Sequence, residues 1–391
     1  MTSTETSIFQ RLAQFDSPGE VIDQMVDYFR QTEQPMELFE ALKMKSRHLL
    51  GLPLIAGDHD EGSTPENVQR QLEIGLLDAC REAGSMMIRS GDVRQGWMYL
   101  RPLGDRQLAR ELMSEVEVTD DNYEDVIQVL VHEAVDVGRG YALVLENQGT
   151  CNSITLYEQA LVDAPKSDRQ AAAAELLDHL YAELSELVKN QIIDKGETVD
   201  PDEDLAQMLE KRRWIMEGGG YHLDTTHIAS TVRIASSLTD PDHLDKAWQL
   251  TQYGKRLHHQ FQYPGEEPFV DFYPAYAAFY ATLLGKQVEA GLKYFERKAR
   301  NVDVAQHGTA AIETYIDLLD RVGRPAEAAK MAVELVPDDV PAQRLVPTLI
   351  EMLSGAEGED RDEAFQVLLG YCESKNDILG YAAAIHARDC G

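Results

Sequence analysis

Apolar positions along most of this chain recur at spacings of three and four, the period of a helix with one buried face. Val21, Met25, Val26, Tyr28 and Phe29 precede Pro35, and Leu38, Phe39, Leu42 and Met44 follow it. Proline suits the first turn of a helix but not its interior, so these runs predict an antiparallel helix pair. A third helix is predicted from about Val68 to Arg89, with Leu72, Leu76, Leu77 and Cys80 on its apolar face. The acidic, turn-rich stretch 56–69 ahead of it, which holds His59, reads as an exposed loop ending near Pro65. Residues 170–191 predict a long helix with Leu176, Leu177, Leu180, Leu184 and Leu187 toward a core, and 195–203 a charged loop. No run alternates apolar and polar residues between paired turn signals, so the pattern predicts an all-α protein.

One short pattern recurs. An apolar residue, two polar residues, a small residue and a large apolar one follow a turn at Val93-Arg-Gln-Gly96-Trp97. The pattern returns at Leu244-Asp-Lys-Ala247-Trp248, Val288-Glu-Ala-Gly291-Leu292, Pro325-Ala-Glu-Ala328-Ala329 and, with a charged first residue, Arg361-Asp-Glu-Ala364-Phe365. The small positions 247, 291, 328 and 364 lie 44, 37 and 36 residues apart, the spacing of one helix hairpin per repeat.

Gly323-Arg-Pro325-Ala-Glu-Ala328-Ala-Lys resembles the turn and second-helix start of the tetratricopeptide family, with glycine in the turn and alanine at the close helix contact. The resemblance covers 240–390 and the hairpin near residue 91; it departs from the family in an early closing proline, Pro337, and in variable repeat lengths. It implies antiparallel hairpins stacked as an α-solenoid with a concave binding surface, and no chemistry. Three regions follow: N-terminal hairpins over 1–125, a central helical region with polar motifs over 126–275, and tetratricopeptide-like repeats over 276–391.

The central region carries the candidate chemistry. Gly218, Gly219 and Gly220 run into His222-Leu-Asp224-Thr-Thr-His227, where a helix is expected to begin with Asp224 or Thr225 as its N-cap. A glycine turn and a helix start allow His222, Asp224 and His227 to converge on a divalent metal such as zinc. The same residues read equally as a cap flanked by two packed histidines. Upstream, His132, Glu133 and Asp136 end an apolar run and Arg139 sits between two glycines; His132 and Asp136, four apart, would share one helical face. Asn147 and Asn152 bracket a polar turn holding Cys151, a nucleophile beside a base and otherwise a small buried residue. Downstream, His258, His259, Asp271 and Tyr273 belong to an aromatic and proline-rich segment expected to fold back on the helices near the glycine junction.

Composition narrows the partners. With 68 acidic against 36 basic residues, the net charge is -32. Such a surface repels polyanions, so nucleic acid and anionic membranes are not expected to bind. Four scattered cysteines without a Cys-x-x-Cys pair indicate neither a disulfide framework nor a zinc ribbon. The N-terminus lacks a basic start and apolar core, and no long apolar run occurs, so a cytoplasmic location is expected.

Two functions fit. One is a helical repeat protein that binds a protein, peptide or small molecule in a concave surface or central cavity, with His132, Arg139, Asn147, Asn152, His258, His259 and Tyr273 as ligand contacts. The other is a metal-dependent hydrolase or lyase, with the metal on His222, Asp224 and His227 and with Glu133 or Asp271 as the base acting on a bound water. In that case His222, Asp224 and His227 should line one cavity with at least one of His132, His258, His259 or Asp271.

Overall fold

The computed structural model describes residues 7–55, 65–337, 340–354 and 358–390; the stretch 56–64 with His59 lies outside them. Helix makes up 74% of the structure and no strand occurs among the described residues, so the fold is all-α. The chain divides into two compact units, Met1–Asn147 and Gln148–Gly391. The division falls inside the 126–275 region, beside Gly149, whose backbone (φ 77°, ψ 173°) interrupts the helical run Val137–Leu156.

In the first unit, Pro18–Gln31 and Pro35–Leu49 pack on each other, each with proline in its first turn. Ile22, Val26, Leu38 and Ala41 form their shared core, with Met25, Phe29 and Leu42 against it. The next helix, Glu66–Arg89, buries Ala79, Ala83, Met87 and Ile88 rather than the predicted stripe, and Leu77 is exposed. Its small residues meet Val93–Leu100 at close range. A Cβ on Gly96 would stand 2.5 Å from Ile88 Cγ1 and 2.9 Å from the Gly84 carbonyl oxygen. The small residue of the recurring pattern is therefore required here, because the two helix backbones nearly touch.

The second unit is built on the long helix Lys166–Asp194, whose Leu176, Leu177, Leu180, Leu184, Val188 and Ile192 are buried. Leu205–Lys211, Thr225–Ile234 and Pro241–Gly254 pack against it. From there each helix packs on its successor through Phe272–Leu283, Val288–Asn301, Ala310–Arg321 and Pro325–Leu335. The small positions Ala247, Gly291, Ala328 and Ala364 are all buried. At Gly291 an added Cβ would fall 1.8 Å from Thr282 Oγ1, which fixes how closely Phe272–Leu283 and Val288–Asn301 approach.

The stretch 195–203, predicted as a charged loop, is a loop, and its charges tie it down. Arg212 donates to Glu203 at 2.7 and 3.3 Å and to Glu197 at 3.0 Å, and the Trp214 indole donates to Glu197 at 3.1 Å. The Arg212 guanidinium holds the Glu203 carboxyl below its usual range.

Candidate functional site

The glycine junction lies against Pro241–Gly254 and the segment that follows it. Gly218 and Gly219 adopt φ values of 87° and 76°, open to glycine at little cost, and Gly219 faces the His258 side chain. Tyr221 packs on Phe261 at 4.9 Å between ring centroids. The chain is thereby turned so that His222 points inward and is half-buried.

Both ring nitrogens of His222 are engaged. Nδ1 lies 2.9 Å from the Tyr253 hydroxyl, which also accepts the His222 backbone N–H at 2.9 Å, and Nε2 lies 2.8 Å from Gln191 Oε1. Gln191 Oε1 can only accept, so Nε2 donates, and Nδ1 of the neutral ring accepts the proton of the Tyr253 hydroxyl. His222 then carries its own proton on Nε2 and donates it to Gln191. Burial pushes the imidazole below its ordinary value of 6.5, in keeping with a neutral ring. The phenol proton is held firmly, since burial lifts Tyr253 to about 12.

Asp224 is the N-cap of Thr225–Ile234, accepting the Thr226 backbone N–H at 2.8 Å and the Thr226 hydroxyl at 2.6 Å. Those bonds lower its carboxyl, with a smaller contribution from the nearby His227. The metal set expected of His222, Asp224 and His227 does not form. Among the described residues no group of three or more His, Cys, Asp or Glu is placed to hold a metal ion. The physical reason is that His222 spends both nitrogens on Tyr253 and Gln191 while Asp224 satisfies its own helix start.

The other residues divide in the same way. His258 and His259 are exposed, with ring centroids 4.1 Å apart. Tyr273 is buried beneath Gly254, and its hydroxyl has no hydrogen-bond partner among the described residues. In the first unit, His132 is exposed at the end of a wide helical turn, Gln128–His132. Ala134 (φ 55°) then breaks the helix, so His132 and Asp136 do not share a helical face. Glu133 pairs with Arg101 at 3.4 Å, and Asp136 with Arg110 at 3.5 Å. Arg139 donates to the carbonyls of Met113 and Val116, capping Arg106–Glu115. Asn147 and Asn152 each donate to a carbonyl four residues earlier, Leu143 and Gln148, and both are exposed. Cys151, read as buried unless a base stood beside it, is exposed.

Asp271 is placed differently. It is exposed at the N-cap of Phe272–Leu283 but makes no capping bond, and it stands at one end of an open groove of about 300 Å³. Ala278 and Ala281 from this helix, with Ala290 and Tyr294 from Val288–Asn301, line the groove, and Lys286 stands in the turn between the helices. Of the residues on this face, the sequence marks Asp271 as a candidate base and Gly291 as a small contact position; the groove itself follows from the close approach at Gly291. The partners of His222 were equally hidden, because Gln191 is an ordinary polar residue near a helix end.

Comparison with known proteins gives no matching family model and no matching curated protein. No helix among the described residues is long and apolar enough to cross a membrane.

Proposed function

We propose that the chain is a binding scaffold: a tetratricopeptide-like array of antiparallel hairpins that holds a protein or peptide partner on a face of its second unit. The observation that carries this reading is the groove between Phe272–Leu283 and Val288–Asn301, floored by alanines and left open where the helices meet at Gly291. Small side chains on adjacent helices leave room for another chain's side chains, as helical binding surfaces require. Three of the groups that pointed to catalysis, His222, Asp224 and Glu133, are occupied in holding the fold, which supports the same reading.

The test is site-specific photo-crosslinking. A photoreactive residue at Ala278 is expected to give a discrete adduct in an extract of the source cells, and the same residue at Asp120, in the first unit, is not. Ala281→Trp, which fills the groove, should remove the adduct while the helical circular-dichroism signal is kept. Equal labelling at both positions, or an adduct indifferent to Ala281→Trp, refutes the reading.

A further inference from the structure

The structure assigns a pH-sensitive latch to the glycine junction: the segment 217–223 is fastened to the second unit through the neutral His222 ring, and protonation of that ring releases the segment while the helices on either side stay folded. The latch is independent of the groove, and its failure would leave the scaffold reading untouched.

Little else holds this segment. Glu217 donates its N–H to the Trp214 carbonyl at 3.0 Å and Asp224 caps the helix Thr225–Ile234, so both ends are anchored. Between them, Gly218, Gly219, Gly220, Tyr221 and Leu223 make no hydrogen bond among the described residues. Tyr221 touches Phe261 but is 52% exposed. Attachment therefore falls to His222, whose backbone N–H and Nδ1 meet the Tyr253 hydroxyl and whose Nε2 meets Gln191. These three bonds tie the segment to Lys166–Asp194 and to Pro241–Gly254 at once. Gly218 and Gly219, at positive φ, let the segment swing when the bonds fail.

The network accommodates only the neutral ring. With the ring proton on Nε2, Nδ1 accepts from the phenol, and the phenol oxygen accepts the His222 N–H. A second ring proton, on Nδ1, would point at the phenol proton. The phenol would have to turn its own proton away, but Tyr253 is fully buried and has no other hydrogen-bond partner among the described residues. One donor would then be left unpaired in the interior, which is costly.

No carboxylate offsets the added charge. On the segment itself Glu217 is exposed, and Asp224 is engaged by Thr226 and lies beside His227. Beyond Gln191 stand Asp194 and Lys195, both exposed, the lysine over the Trp214 ring. Beyond Tyr253 stand Lys255 and Arg256, each bonded to Gln252, then the exposed His258 and His259. Tyr273 lies close to Tyr253 on the helix Phe272–Leu283. None of these groups moves the ionisation of His222, which is lowered by burial alone. The ring takes up a proton more readily when free than when latched, so the latch is closed above pH 6.5 and loosens as pH falls below it.

The experiment follows hydrogen exchange of the full chain by mass spectrometry from about pH 7.5 to about pH 5, with rates corrected for the intrinsic effect of pH on exchange. The amide at position 222 is the sensitive one, because it alone from 218 to 223 has a hydrogen-bond acceptor among the described residues. Its protection should fall by about fivefold or more across this range, while the buried amides of 176–188 stay protected. His222→Gln should abolish the pH dependence. Tyr253→Phe, which removes the shared hydroxyl, should leave the segment open at both ends of the range. Protection at position 222 that is flat with pH in the wild-type chain overturns the proposal. So does a fall that persists in His222→Gln, wild-type protection in Tyr253→Phe, or an equal loss along Lys166–Asp194, which is acid unfolding of the whole unit. If one variant loses its helical circular-dichroism signal, the wild-type profile and the other variant still decide.

Discussion

Gly254→Ala is expected to destabilise the second unit although it adds one methyl group. Gly254 ends the helix Pro241–Gly254, and a Cβ there would lie 2.1, 2.2 and 2.4 Å from three atoms of the Tyr273 ring. Ordinary contact begins near 3.4 Å, so the ring would have to withdraw by more than 1 Å. It has nowhere to go: Tyr273 is 1% exposed and packed edge-on against Phe272 at 5.1 Å. Overpacking of this kind costs about 1–3 kcal/mol. The helix preference for alanine returns about 0.5–1 kcal/mol at most, less at a helix end. The net loss of about 1–2 kcal/mol should lower the urea midpoint by roughly 0.5–1 M, given a slope of about 2 kcal/mol per molar. The control is Gly370→Ala, inside the helix Glu359–Ser374, where an added Cβ meets nothing within 4 Å. There only the helix preference acts, and the midpoint should rise, by the equivalent of about 0.5–1 kcal/mol. A midpoint for Gly254→Ala at or above wild type, or a fall for Gly370→Ala, would refute the packing argument.

Three further outcomes are expected. Tyr273→Phe removes a buried hydroxyl that has no partner among the described residues, so the urea midpoint should hold or rise by the equivalent of up to about 1 kcal/mol; a clear fall would show that the hydroxyl is bonded. His222 is neutral in the fold, with its ionisation lowered by burial, so the unfolded chain takes up a proton first as pH falls below 6.5. The stability advantage of wild type over His222→Gln should therefore be full above pH 6.5 and shrink on acidification below it, and an advantage that grows would contradict the assignment. Ala328→Leu and Ala364→Leu should each cost about 1–3 kcal/mol, because both positions are wholly buried at helix contacts; unchanged urea midpoints would show that the contacts tolerate the volume.

The sequence by itself determined the helical character of the chain and several element boundaries. Apolar spacing and helix-initiating prolines are local signals, and Pro18, Pro35, Pro241 and Pro325 all stand in first turns. It also marked the small residues at helix contacts, since Gly96, Ala247, Gly291, Ala328 and Ala364 announce a close approach whatever the neighbouring helix is. Asp224 as an N-cap was legible for the same reason: the group it satisfies lies two residues away. What the sequence left open was the duty of each polar side chain, because that depends on partners distant along the chain. His222 is bound by Gln191 and Tyr253, each 31 residues away, and no spacing distinguishes such a histidine from a metal ligand. Arg139 looked available between its glycines, yet it reaches carbonyls 26 and 23 residues back. Asp271, read from the sequence as a candidate base, forms no ion pair among the described residues and stands at a groove that exists because the helices flanking it meet at Gly291. Local periodicity fixes where helices form, whereas the availability of a charged or hydrogen-bonding group is decided by the whole set of groups that tertiary packing brings within about 3 Å of it.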